Sequence, residues 1–379
     1  MAKEKVSIFS FFSGAGFLDL GFEMAGADVV FVNEIKATFV KSYKYSREKM
    51  GFDLSENYDV SDISTFLEGN TSEGNKNDLL RQVISEKEKN IVGFIGGPPC
   101  PDFSVAGKNK GRDGEKGILS GVYIDLILKM KPHFFLFENV KGLWKTKKHK
   151  NYYNELKSKL YGEGYFFAEK LINVLEYGVP QDRERIILIG FSKEFLESKN
   201  LDIPVFGPMI NQFPWESHII YKEGTVKSAN WPDTNKFQEG GELTKPSNII
   251  EELAIQYWFD KNEVDSHPNR LDFFRPRAGL SKMKIIEEGD DSRKSYKRLH
   301  RWRYSPTAAY GNNEVHLHPF HARRMTVAET LAIQSLPKEF EMPEDISLTD
   351  KFKMIGNGVP FLAANGIAKT IFEYIKVHD

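Results

Sequence analysis

The chain has 379 residues, 40% hydrophobic and 28% charged, with 52 Lys and Arg against 53 Asp and Glu. That suits an ordinary soluble globular protein with a large core, divided into about two domains. No apolar run approaches the roughly 20 residues of a membrane span, and the start MAKEKVSIFSFFSGAG has no cleavage site of small residues, so a cytoplasmic protein is expected. The only cysteine, Cys100, cannot form an internal disulfide. It is a buried filler, an accident or a reactive thiol in a reducing compartment, and composition alone favours the filler.

The rest of the first half alternates apolar strands with amphipathic helices. VSIFSFF (6–12) reads as a buried strand, FLDLGFEMAG (17–26) as a short helix stopped by Gly26, and DVVFVNE (28–34) as the next strand. A helix through DLLRQVISEKEK leads to the strand IVGFIGG (91–97), and the helix GVYIDLILKMK (121–131) feeds HFFLFENV (133–140). Another helix near 151–161 precedes FFAEKLINV (166–174), and RERIILIGF (183–191) closes the series. This rhythm implies an α/β fold with a largely parallel, doubly wound sheet. It fails after residue 195, where 196–300 are rich in Pro, Asn, Trp and charge and mark a second, irregular domain. Pattern returns in TVAETLAIQSL (326–336) and in VPFLAANGIAKTIFEYI (359–375), a closing helix expected to pack back on the first sheet.

Net charge is −1, but two stretches are cationic. SRKSYKRLHRWR (292–303) carries six Lys or Arg and no acid, and KGLWKTKKHK (141–150) carries five Lys and no acid. Each is either a solvated face or a phosphate-binding surface, since Lys and Arg release counterions from a nucleic-acid backbone.

In open parallel sheets, ligands bind beyond the carboxyl ends of the strands. After the first strand comes FSGAG (12–16), whose Gly14 and Gly16 let the backbone approach a ligand. A Gly-x-Gly turn also simply joins a strand to a helix, and the third glycine of the dinucleotide fingerprint is replaced by Asp19. Glu34 ends the second strand, about 20 residues on, where an acid either binds ribose hydroxyls or lies at the surface. Asp62, in VSDIS, caps an adenine edge or merely a helix. Gly96, Gly97, Pro98 and Pro99 cannot continue a strand, so Cys100 falls on a loop at the mouth of the sheet. That argues against a filler and for a nucleophile, activated by nearby positive charge or helix N-termini. Glu138 and Asn139 end the fifth strand, where the carboxyl is a candidate acid or a satisfied strand-end group.

Those residues in that order resemble the cytosine-5 DNA methyltransferases. FSGAG matches the cofactor loop, GGPPC the nucleophile loop, ENV the acid motif and QDRER (181–185) the Q-x-R-x-R motif, while RRMTVAETLAIQSLP and GNGVP match the last two motifs. The resemblance implies a doubly wound, Rossmann-like methyltransferase sheet. Residues 1–194 and 350–379 would form the catalytic domain that binds S-adenosylmethionine, and 195–349 a smaller, irregular target-recognition domain with its hinge. It also implies a mechanism: the Cys100 thiolate attacks carbon 6 of a flipped-out cytosine, Glu138 donates to ring nitrogen 3, and carbon 5 takes the methyl group. Arg185 would hold the base carbonyl, with Arg183 supporting the anionic nucleophile or a phosphate. Phe12 would stack on adenine, Gly14 and Gly16 form the cofactor loop, Glu34 bind ribose, Asp62 and Ile63 frame adenine, and Asn357 and Val359 complete the pocket.

The basic loop GKNKGRDGEKG (107–117) would close over DNA. The implied partners are double-stranded DNA and, in a restriction system, a cognate endonuclease. A monomer is expected, because no apolar stripe announces an interface. The other functional classes are a tRNA cytosine-5 methyltransferase and a non-catalytic DNA-binding relative, against which intact Cys100, Glu138 and both arginines argue. The chain departs from many relatives at Pro101 (glutamine), Phe17 (a second glycine) and Gly358 (serine), and none of these removes a reacting group. His316, His318 and His321 in HLHPFH have no cysteine nearby, and no metal site is expected.

Overall fold

Largely apolar strands of two to nine residues build the central sheet of the computed structural model, which describes residues 4–54, 57–68, 76–99, 115–276, 279–307 and 315–377. Cys100, Pro101 and residues 107–114 of the basic loop lie outside the described residues. In chain order the first part comprises β1 (Val6–Phe11), α1 (Phe17–Glu23), β2 (Asp28–Asn33), α2 (Ala37–Lys49), β3 (Tyr58–Asp59), α3 (Lys76–Lys87), β4 (Ile91–Gly96) and α4 (Glu115–Met130). It continues with β5 (Phe134–Val140), α5 (Gly142–Lys145), α6 (Lys147–Gly162), β6 (Tyr165–Asn173), β7 (Gln181–Asp182), β8 (Glu184–Ser192) and α7 (Lys193–Ser198).

The sheet order is β3-β2-β1-β4-β5-β8-β6. The strands from β3 to β5 pair in parallel, as helical crossovers require, whereas β8 is antiparallel to both β5 and β6. The chain between Asn173 and Glu184 holds only a short turn and β7. Parallel neighbours need a crossover of a dozen or more residues, so this connection forces the antiparallel pairing.

Strand alternation sorts the core into two layers. Val6, Ile8, Ile91, Ile95, Phe134, Leu136, Ile187 and Ile189 pack with Leu18 and Phe22 of α1 and with the closing helix. Phe9, Phe11, Val92, Phe94, Phe135, Phe137, Ile186 and Leu188 pack with α3, α4 and α6 on the other face. Such a doubly covered sheet explains why the central strands are largely apolar, β1 being interrupted only by the buried Ser7 and Ser10.

The second part holds α8 (Glu223–Ser228), α9 (Ile255–Lys261), α10 (Leu280–Lys284), β9 (Lys297–Arg298), β10 (Ser305–Pro306) and β11 (His316–Leu317), separated by long irregular connections. The C-terminal part is α11 (Val327–Ile333), α12 (Leu348–Asn357) and α13 (Phe361–Tyr374). As expected, the closing helix α13 packs back on the first sheet, through Ala363, Ala364, Ile367 and Ile371. Gly21 makes this possible: a Cβ there would lie 2.4 Å from that of Ala364, and Asn365 donates to the Gly21 carbonyl at 2.9 Å.

The folded chain splits 292–303: Arg293 and Lys294 are exposed, as a solvated face would have them, whereas Arg298 and Arg301 lie inside. Arg298 is fully buried, its Nε donating to the Ile286 carbonyl at 2.8 Å and its guanidinium lying 3.9 Å from the centre of the Phe237 ring. Arg301 is also buried, in a forked pair with Glu288 at 2.8 and 2.9 Å. Arg303 pairs with Asp291 at 2.9 Å. These arginines hold together a region with few apolar side chains, work that planar guanidinium groups do well.

Two of the departures from the family meet each other. Phe17, buried at the start of α1, lies against Gly358, just past α12, and a Cβ on Gly358 would sit 2.3 Å from the Phe17 ring. Phe340 closes the other side edge-to-face, with ring centres 5.2 Å apart.

Candidate active site

The chain leaves β1 for β2 on one side and reaches β4 on the other, so the sheet switches direction between β1 and β4. Ligands bind at such switch points, and here the turn 12–16 and the segment starting at Gly97 flank it.

The turn after β1 needs left-handed backbone at Gly14 (φ 58°) and Gly16 (φ 77°), and Phe12 adopts φ 55°. Glu34 is not a surface acid. It is 9% exposed, with Oε2 accepting from the Gly14 amide and Oε1 from the Lys36 amide, each at 3.0 Å. Burial pushes its pKa up, and these two amides and nearby lysines oppose the shift. Space above Gly14 is open, since a Cβ there would meet nothing within 4 Å, and the buried Ser13 hydroxyl has no partner among the described residues. Phe12 is half-buried, edge-to-face with Tyr123 at 6.0 Å.

Asp62 caps a short 3-10 turn (Ile63–Phe66), its Oδ1 accepting from the Ser64 amide at 2.8 Å and the Ser64 hydroxyl at 2.7 Å, while Ile63 is buried beside Phe31 and Phe66. The helix-cap alternative is thus realised at Asp62. Asn357 ends α12, and Val359 is buried in the layer that holds α1 and α13.

On the other side of the switch point, alternation puts Glu138 and Arg185 on one face, because β5 and β8 pair antiparallel with Val140 opposite Arg185. Arg185 Nε contacts Glu138 Oε1 at 2.8 Å, with both side chains nearly buried. Glu138 Oε2 faces Gly97, where a Cβ would come within 2.8 Å of it, so a side chain at 97 would displace the carboxyl. Cys100 follows three residues later.

Arg183 is 1% exposed, and its Nη2 donates to the carbonyls of Gly356 and Gly358 at 3.0 and 3.1 Å. It therefore ties the QDRER segment to the GNGVP turn. Just past β5, Lys141 pairs with Glu184, while Lys145, Lys147 and Lys150 are exposed on the same rim. The histidines of HLHPFH have other work: the buried His318 Nδ1 accepts from the Phe320 and His321 amides at 3.3 and 3.2 Å, and His321 pairs with Glu239 at 3.0 Å.

Sequence reasoning missed a buried charge cluster directly behind the turn. Arg47 of α2 donates from Nε to Glu23 Oε2 and from Nη2 to the Gly16 carbonyl, both at 2.7 Å. Asp19 is fully buried beside it, its Oδ1 accepting from the Ser10 hydroxyl at 2.9 Å. An acid amid Phe17, Leu18 and Leu20 was a visible signal, whereas Arg47 among the lysines and tyrosines of α2 gave none.

Burial first, then the charge of Glu23, pushes the Asp19 pKa from 3.8 up to about 7. The folded protein then holds this proton more tightly than the unfolded chain, so stability falls as pH rises from about 4 to about 7 and is flat above. Asp19→Asn keeps the acceptor for Ser10 and removes the titration. Denaturant unfolding should show the variant gaining on the wild type by at most about 1.4 kcal/mol per pH unit across that window. Parallel curves from pH 5 to pH 8 would contradict it.

A model of the C-5 cytosine-specific DNA methylases matches residues 6–373. The chain is 54% identical over 378 residues to the Type II methyltransferase M.NmeDI of Neisseria meningitidis serogroup C, covering 99% of this chain and 86% of that one. It is 28% identical over 369 residues to the Type II methyltransferase M.FnuDI of Fusobacterium nucleatum, covering 97% and 94%. Its fold is shared with a structure from E. coli described as a DNA modification methyltransferase encoded within a prophage, at a TM-score of 0.64 and 21% identity, covering 98% of this chain and 100% of that one. The chain therefore belongs to the C-5 cytosine-specific DNA methylases, enzymes that methylate DNA cytosine at carbon 5.

Proposed function

We propose that the chain flips a cytosine out of duplex DNA at a specific short sequence and methylates carbon 5 through a covalent Cys100 adduct, with S-adenosylmethionine as the donor. The observation that carries this is the placement of Glu138: one oxygen is held by Arg185, and the other lies against Gly97, where the nucleophile loop begins. The carbon to be methylated is inaccessible inside a duplex, so the base must leave the stack at a cost of about a few kcal/mol. Carbon 5 of the aromatic base is a poor nucleophile. Addition of the Cys100 sulfur to carbon 6 converts it to an enamine, while Glu138 passes a proton to nitrogen 3. Arg185 holds the base carbonyl, and Arg183, tied to the carbonyls of Gly356 and Gly358, supports the anionic nucleophile or a phosphate. A base then takes the proton from carbon 5, nitrogen 3 returns its proton to Glu138, and elimination of the sulfur from carbon 6 restores the thiolate.

S-adenosylmethionine, when bound, supplies the methyl group. The open space at Gly14 and the unpartnered Ser13 hydroxyl suit a polar ligand lying on this turn. Gly14 and Gly16 let the backbone approach it, Glu34 takes the ribose hydroxyls with its remaining lone pairs, and Phe12 stacks on adenine. Asp62, Ile63, Asn357 and Val359 complete the pocket. The catalytic domain is residues 1–194 and 350–379, and residues 195–349 form the target-recognition domain and hinge. The exposed lysines at 145, 147 and 150 contact DNA phosphates. The names of the relatives support a Type II system with a cognate endonuclease, and the enzyme acts as a cytoplasmic monomer.

The test is transfer of labelled methyl from S-adenosylmethionine to duplex DNA of mixed sequence, beside tRNA. Label in DNA is the expected result, and label in tRNA alone would move the substrate to RNA.

A further inference from the structure

The turn 13–16 is gripped at both ends. Its Gly14 amide is held by Glu34, and its Gly16 carbonyl by the Nη2 of Arg47 at 2.7 Å. Side chains of α2 also fill the space beside Gly16: a Cβ there would lie 2.3 Å from the Tyr43 ring and 3.0 Å from Arg47 Nη2. Arg47 is itself fixed, 1% exposed, stacked 4.5 Å from the centre of the Tyr43 ring and paired with Glu23. Burying a charged group is costly, and its Nη1 has no partner among the described residues. Such a group is poor at adding stability and well suited to fixing one geometry.

Resting on the assignment of this turn to S-adenosylmethionine, we propose that Arg47 is a positioning residue for the cofactor site, setting the path of residues 14–16 through the Gly16 carbonyl and thereby the affinity for the cofactor. It touches neither the cofactor nor the base. Its contribution is to hold in advance a left-handed turn that would otherwise be ordered only when ligand binds, and preorganisation of this kind appears in affinity more than in chemistry.

The experiment uses S-adenosylhomocysteine as an unreactive probe, followed by calorimetry, on the wild type, on Arg47→Met/Glu23→Gln, which removes both charges together, and on Arg47→Lys, which keeps the charge but loses the fork. Loss of a charged hydrogen bond that orders the site should weaken probe binding by about tenfold in the double variant. Arg47→Lys should lie between it and the wild type. The KM for S-adenosylmethionine should rise in step, with kcat at saturating cofactor falling less than threefold and the KM for DNA unchanged. Probe affinity within twofold of wild type in whichever of the variants folds would overturn the proposal, even if unfolding temperatures drop. Failure of the wild type itself to bind the probe would instead sink the cofactor assignment.

Discussion

Glu138→Gln is expected to slow methyl transfer to duplex DNA by about 10²- to 10⁴-fold, the range in which a positioned general acid contributes. Glutamine preserves the shape of the side chain and can still accept from Arg185 Nε through the oxygen now held at 2.8 Å. Its amide can donate a hydrogen bond to nitrogen 3 of the base but cannot give up a proton, so the substitution separates proton transfer from hydrogen bonding. The loss should fall on kcat, while the KM for S-adenosylmethionine stays near the wild-type value because the cofactor turn lies across the switch point. Arg185 loses its counter-charge in this variant, so unfolding should be followed alongside. A rate within threefold of wild type in a folded protein would remove Glu138 from the chemistry.

Cys100→Ala should abolish transfer to below detection, because carbon 5 does not become nucleophilic without addition at carbon 6. Binding to duplex DNA should survive, since the proposed phosphate contacts of Lys145, Lys147 and Lys150 are untouched. The adduct itself can be observed with duplex carrying 5-fluorocytosine. Fluorine at carbon 5 cannot be removed as a proton is, so elimination stops and the protein stays covalently attached. The wild type should yield a denaturation-resistant complex in the presence of S-adenosylmethionine, and Cys100→Ala none. Measurable methylation by the alanine variant would mean that another group activates the base.

The parts of this site that follow from strand periodicity were legible in the sequence. Glu138 ends a buried strand, Arg185 begins another, and alternation puts them on one face once the strands are neighbours. What could not be read were contacts between distant segments and the burial of individual charges. Arg183 reaches carbonyls 173 and 175 residues away, which no local pattern encodes. The arginines of 292–303 resembled a phosphate-binding surface because counting charge does not reveal that Arg298 and Arg301 lie inside. The antiparallel β8 follows from a physical rule about short connections, but applying it requires knowing that β5, β8 and β6 are adjacent. Asp62 shows the converse, because the cap it makes two residues ahead is local and was foreseen as one alternative.

The contact between Phe17 and Gly358 also couples two distant positions. With the phenylalanine in place, a side chain at 358 would stand where the ring now lies, its Cβ 2.3 Å from the nearest ring atom. A buried overlap of that kind costs about 1–3 kcal/mol. Residue 358 can therefore accept a side chain only together with a smaller residue at 17, which makes two segments more than 340 residues apart a single unit of substitution.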